Sequence, residues 1–201
     1  TITDLDSETD EATVTVTVTC VNDGPVAADD EYAATEDTVL TVTVPTVLAN
    51  DTDVDFPYGD SLSVSAYDAV TTAGGSVLMD TDGTFVYTPL ADFCGDDSFT
   101  YTVSDESAAT DVGLVTIHVA CVNDAPVAVD DEYAATEDTV LTVTVPTVLA
   151  NDTDVDFPYG DSLSVSAYDA VTTEGGLVVM TTTGTFDYTP PADFCGEDTF
   201  T

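Results

Sequence analysis

The chain has 201 residues, of which 40 are Asp or Glu, none is Lys or Arg, and one, His118, is histidine, for a formal net charge of −40. A field of that sign repels nucleic acid and anionic lipid and favours capture of cations. With 43% apolar residues the chain is no acidic disordered tail, no apolar run approaches the roughly 18 residues of a membrane span, and Thr1 opens no basic and apolar leader.

Apolar residues alternate with period two in seven short segments, the mark of half-buried strands. In chain order these are 13–19 (TVTVTVT), 38–44 (TVLTVTV), 62–67 (LSVSAY), 76–79 (SVLM), 84–88 (TFVYT), 98–103 (SFTYTV) and 114–120 (LVTIHVA). Asp, Gly and Pro punctuate them, and helical spacing is confined to a turn at 45–49. About seven short strands per 100 residues predict an all-β fold of antiparallel immunoglobulin-like sandwiches.

The pattern is duplicated. Cys20 recurs as Cys121 and Cys94 as Cys195, a period of 101, and residues 29–72 return letter for letter as 130–173. The window reads as an excerpt of a longer array: residues 1–21 as the C-terminal strands of a preceding repeat, 22–121 as a complete repeat, and 122–201 as a repeat lacking its last strands.

Running the strands alternately up and down sorts the loops between two poles. The linker before residue 29, the loop 49–60 (ANDTDVDFPYGD), the turn 80–83 and the loop 104–111 fall at the first pole. Residues 32–37, 91–97 and the linker 122–133 fall at the second. Stacked repeats therefore bring acids to face acids. Two carboxylates about 4 Å apart repel by about 1 kcal/mol in water and about 4 kcal/mol at an effective dielectric near 20, so such poles need a cation, solvent or distance.

The segments VNDGPVAADD, VNDAPVAVDD, ATEDTVLTV, VLANDTDVD with GDSL, GTFVYTP and FCGDDSFTYTVSD cover nearly the whole chain. As a set they resemble the cadherin-like and bacterial immunoglobulin-like tandem repeats of giant extracellular adhesins and surface filaments. The resemblance implies tandem cadherin-like sandwiches with calcium between them. Carried onto this sequence, it nominates Asn22, Asp23, Asp51, Asp53 and Asp55 at one junction and Asn123, Asp124, Asp152, Asp154 and Asp156 at the other. Asp29, Asp60 and Asp105, with Asp130 and Asp161 in the second copy, complete the candidate set. The chain departs from the family where Phe56, Pro57 and Tyr58 separate DVD from GD, which can carry Asp60 into the site or out of it, and where cysteines stand at Cys94 and Cys20. Independently of the resemblance, alternating Asp residues supply the six to eight oxygens that Ca2+ takes at about 2.3 to 2.6 Å. An EF-hand is excluded, because Phe56 and Leu62 stand where that loop needs Gly and Glu. The competing reading is a solvated acidic surface.

Residues that pair across a hairpin keep a nearly constant index sum. Cys94 and Cys121 sum to 215, the sum on which the turn 104–111 is centred, so the two are expected to form a disulfide at the open end of the last hairpin, with a bulge at Gly95 adjusting the side-chain phase. On the loop-entropy account such a bond contributes about 3 kcal/mol and implies an oxidising compartment. Cys20 and Cys195 are expected to pair with cysteines of adjoining repeats or subunits. His118 falls on an outward phase, and Asn50 and Asn151 head N-glycosylation sequons.

These observations point to a non-enzymatic structural repeat of an extracellular stalk, adhesin or secreted filament, partnered by adjoining copies of itself, with no nucleic-acid partner and no membrane insertion. Two alternatives stand beside it. In one, the chain is a separate subunit that polymerises head to tail, residues 1–20 completing a neighbour's 122–201 by strand donation. In the other it is a module binding cell-surface glycans through its loops.

Overall fold

The computed structural model describes residues 1–201. The chain opens with a small hairpin, β1 (Ile2–Thr3) and β2 (Thr9–Asp10), and runs on to residue 21 without a strand partner. Seven strands then build a two-layer sandwich: β3 (Asp30–Thr35), β4 (Leu40–Val42), β5 (Ser63–Tyr67), β6 (Ser76–Met79), β7 (Phe85–Thr88), β8 (Gly95–Ser104) and β9 (Thr110–Ala120). One sheet has the order β3-β9-β8-β5 and the other β4-β7-β6.

Alternation along the strands fills the space between the sheets. Phe99, Tyr101 and Val103 of β8 and Val115, Ile117 and Val119 of β9 point inward with Val64 of β5, and form one core with Val42, Val77, Phe85 and Tyr87 of the other sheet. Phe85 meets Tyr32 and Phe99 edge-on at centroid distances of 5.1 and 5.5 Å, an arrangement favoured by the ring quadrupoles. Gly113 is required by this packing, since a Cβ there would lie 2.5 Å from the Tyr101 ring.

Three features differ from the sequence expectation. Residues 30–35 form a strand although the adjacent alanines at 33 and 34 hide the pattern, and β3 pairs parallel to β9, from Asp30 beside Val115 to Thr35 beside Ala120. The sandwich is therefore antiparallel with one parallel pair. The β8–β9 ladder runs without a bulge at Gly95, every pair from Gly95–Val119 to Ser104–Thr110 summing to 214. Cys94 and Cys121 lie just past its end and join diagonally, their Cα atoms 4.9 Å apart. Residues 13–19 form no strand, because nothing in the chain pairs with them.

In the second copy β10 (Leu141–Val143), β11 (Leu177–Met180) and β12 (Phe186–Thr189) rebuild the three-stranded sheet in the order β10-β12-β11 and in the register of the first. Residues 131–136 have the same letters as β3, and 164–168 the same as β5, yet neither forms a strand. Their partners would be counterparts of β8 and β9, and residues 123–201 hold only the beginning of the first and none of the second. Identical sequence thus folds or not according to what lies beside it, as β-propensity taken alone does not foresee.

Candidate cation sites at the two poles

The loop 49–60 is shaped by its own side chains. The Asp55 N–H donates to Asp53 Oδ1 at 2.8 Å, and Phe56–Tyr58 coil into a 3-10 turn closed by Gly59 at φ 105°, a left-handed conformation that glycine adopts without strain. The insertion therefore returns the chain toward the loop start, and Asp60 comes to lie with Asp53 and Asp105, one carboxylate oxygen from each falling within 4.8 Å of the others. Asn22 Nδ2 donates to Asp105 Oδ2 at 2.8 Å, which holds the Asp105 carboxyl below the usual range. The Asp23 N–H donates to Asp55 Oδ2 at 2.7 Å, tying the linker to the loop. Asp53 Oδ2 is buried with no hydrogen-bond partner.

At the joint between the copies the second pole of the sandwich meets the same loop repeated. Asp154, Asp156 and Asp161 form one group, Glu36, Asp124 and Asp156 a second, and Asp37, Asp92 and Asp124 a third, each within the same 4.8 Å. Shared members link the three into one row of carboxylates across the joint. The Asp124 N–H donates to Asp156 Oδ2 at 2.7 Å, and the Val122 N–H donates to Glu36 Oε1. Desolvation, with Asp156 and then Asp92, Asp37 and Glu36 as like-charged neighbours, raises the Asp124 pKa. Glu36 is only 2% exposed, and its Oε2 has no partner. An unpaired buried carboxylate oxygen is costly in a folded protein.

Other nominated residues do different work. Asp51 accepts from the Ala28 N–H at 2.8 Å and from the Tyr101 hydroxyl at 3.0 Å, and so locks the loop to β8 from inside. Burial and then the Asp51 charge push Asp30 beside it up to about 6. Asp29 accepts from the Leu114 N–H at 3.0 Å, and Asp152 from the Val129 N–H at 2.8 Å. Asp23, Asp29, Asp51, Asp55, Asp130 and Asp152 lie outside all four acidic groups. Asn123 Nδ2 donates to the Asp124 carbonyl at 2.6 Å. Asn50 and Asn151 use the nitrogen that would carry a sugar to donate to the carbonyls of Asp29 and Asp130, both at 3.1 Å. His118 lies on the exposed sheet face, 2.6 Å from Asp96, whose hydrogen bond and charge raise its pKa.

Glu36, Asp37 and Asp92 were not among the residues nominated from sequence. The signal was present: all three sit in loops assigned to the second pole, and Glu137, Asp138 and Asp193 repeat them. What spacing alone lacks is which second-pole acids reach across the joint.

The family model for the bacterial cadherin-like domain matches residues 22–120 and again 123–201. The chain belongs to this family. No curated protein matches it. Among solved structures, extracellular cadherin domains 3–6 of protocadherin gamma B2 are 18% identical over 84% of this chain and 44% of that one, with a TM-score of 0.46. A Bacteroides ovatus glucan-utilisation protein, SGBP-B, solved with a mixed-linkage heptasaccharide, is 13% identical over 89% of this chain and 43% of that one, with a TM-score of 0.30. A nucleoside hydrolase-related protein from Saccharophagus degradans is 18% identical over 49% of this chain and 26% of that one, with a TM-score of 0.34. The chain thus spans less than half the length of each of these structures. No helix of the cadherin-like chain is long and apolar enough to cross a membrane.

Proposed function

We propose that this cadherin-like chain is a non-enzymatic structural segment of an extracellular stalk or adhesin whose joints are stiffened by calcium. The observation that carries the reading is Glu36 Oε2, buried without a partner among Asp124 and Asp156 at the joint. A lone acidic cluster is compatible with solvation, but a buried and unsatisfied member of one calls for a positive charge, and no lysine or arginine exists to supply it. The donors are all hard oxygens, which suit Ca2+ rather than a metal that prefers nitrogen or sulfur. Oxygen atoms within 4.8 Å of one another match ligands shared by one ion at about 2.3 to 2.6 Å.

On this reading Glu36, Asp37, Asp92, Asp124, Asp154, Asp156 and Asp161 hold cations between residues 22–121 and 122–201. Asp53, Asp60 and Asp105 begin the equivalent site, which a preceding repeat completes. Residues 1–21 are then the last strands of that preceding repeat. The Cys94–Cys121 disulfide supports an oxidising, extracellular setting. Bound ions supply the countercharge that lets two acidic poles touch, so each joint is pliable without calcium and fixed with it.

Thermal unfolding in calcium and in chelator tests this. Ion binding at a hundredfold excess over Kd raises stability by about 2.7 kcal/mol per independent site. A melting curve that does not move on chelation overturns the calcium reading. The variant Glu36→Gln gives a sharper check, because its amide keeps an acceptor for the Val122 N–H. It should melt higher than the parent in chelator and gain less from calcium.

A further inference from the structure

We propose that the Phe157–Pro158–Tyr159 turn is a stop built into the joint between the two copies, with Val155 and Tyr159 bearing on the second pole of residues 22–121 and fixing how the repeats meet. This goes beyond the calcium reading, which leaves Tyr159 without a role, and does not depend on it: whatever cation closes the joint, the stop sets where closing ends.

The turn has one shape, used twice. The same twelve letters stand at 49–60 and 150–161. In both, the FPY segment is a single 3-10 turn, opened by Asp55 at φ −90° or Asp156 at φ −83° and closed by Gly59 at φ 105° or Gly160 at φ 106°. The tyrosine N–H donates to the carbonyl of the opening aspartate, at 2.8 Å for Tyr58 and 2.9 Å for Tyr159. A proline with fixed φ and a left-handed glycine leave such a turn few other conformations.

What differs is what lies over it. Tyr58 is 74% exposed and Val54 66%, but Tyr159 is 43% and Val155 45%. Asp156 falls to 7%, whereas Asp55 stays half-buried. The change is not general to the second copy. Phe56 and Phe157 are both 43% exposed, Val26 and Val127 are 60% and 59%, and Val44 and Val145 are both 86%. Residues 123–201 hold no segment that residues 22–121 lack, so their own repeat cannot supply the added cover. It comes from across the joint, where Glu36 lies with Asp124 and Asp156, and Asp37 and Asp92 lie with Asp124.

Hydrogen bonds hold the turn in that place. The Asp124 N–H donates to Asp156 Oδ2 at 2.7 Å and the Asp156 N–H to Asp154 Oδ1 at 2.9 Å, so linker and turn are one piece. Tyrosine suits the position, because its ring displaces water while its hydroxyl stays hydrated among the acids. Calcium accepts a flexible coordination geometry, so ions can draw two acidic poles together without choosing a tilt. A rigid apolar stop beside them chooses it.

The test is the amide resonances of the 201-residue chain for three serine variants. They are read in calcium, and again in chelator with about 1 M sodium chloride, which screens the poles without a bound calcium ion. Tyr159→Ser should shift amides of residues 32–37 and 91–93, across the joint, in both conditions, and should broaden the distribution of distances seen by small-angle scattering. Tyr58→Ser makes the same change in the turn that no sandwich covers, and should leave those amides in place. Phe157→Ser alters the same turn at a side chain whose exposure is equal in the two copies, and should move them less. The melting transition of residues 22–121 monitors folding throughout. The proposal is overturned if Tyr159→Ser leaves the cross-joint amides unmoved, or if Tyr58→Ser or Phe157→Ser moves them as far. Failure of the calcium reading looks different: calcium would then leave the joint amides of the unsubstituted chain unmoved at constant ionic strength.

Discussion

Asp97 shows how a chain without lysine or arginine buries a negative charge. It is 1% exposed and accepts from Thr71, Thr72 and Tyr87 hydroxyls and from the Ala73 and Ser98 N–H groups. Burial opposes ionisation, but the Thr71, Ala73, Tyr87 and Ser98 donors win and hold the carboxyl below its usual range. Asp198 repeats the cage and falls to about 2. Asp97→Ala would strand several buried donors and should cost about 3 kcal/mol or more, read as a lower melting temperature. Asp30 works in the opposite sense. Its folded-state pKa, raised to about 6 by burial and Asp51, gives stability that is present below about pH 4 and lost as pH rises through about 6. The depressed Asp97 and Asp198 give stability present above about pH 4 and lost as pH falls below it, for Asp198 through about 2. In chelator, stability should therefore peak near pH 4 and decline from there to about pH 6. A melting temperature that climbs steadily to pH 8 would contradict this assignment.

At the scale of the strand and the loop, Gly113 and Tyr101 set a sharp test. Gly113→Ala must displace the ring from 2.5 Å contact, which should cost about 1–3 kcal/mol and weaken the Tyr101 hydrogen bond to Asp51. Reducing Cys94–Cys121, a separation of 27 residues, should cost about 3 kcal/mol, measurable by denaturant melts with and without a thiol reductant. Most strands were legible because Val, Phe and Tyr alternate with Thr and Ser, and the two poles followed from counting strands up and down. The β3 strand was not legible, because alanines at 33 and 34 give no alternation and its stability comes from lying against β9. Residues 13–19 show the converse: a clear strand pattern with no neighbour to pair with. The carboxylates of 49–60 were visible as a group, but not their division: the Ala28 N–H and the Tyr101 hydroxyl draw Asp51 to the core, and the Phe56–Tyr58 turn brings Asp60 to the pole.

Across the whole molecule the formal charge of −40 acts on everything else. Ionic screening shortens the reach of repulsion from about 30 Å at 0.01 M to about 3 Å at 1 M salt, so the melting temperature in chelator should rise steadily with sodium chloride. Calcium at constant ionic strength should add to that rise. If magnesium or sodium reproduced the whole calcium effect at equal ionic strength, general screening rather than bound ions would account for it.

The parallel pairing of the first and last strands of the sandwich has a mechanical meaning. Chain leaves β9 at the second pole and arrives at β3 from the first, so a pull applied to residues 22 and 122 drives the two strands past each other. Force then shears the whole β3–β9 ladder at once, from Asp30–Val115 to Thr35–Ala120, instead of unzipping it pair by pair. Should the sandwich yield, the Cys94–Cys121 bond keeps the loop of 27 residues from paying out. At about 3.4 Å per residue, that withholds roughly 90 Å of slack from this repeat and keeps the two ends of the β8–β9 hairpin together.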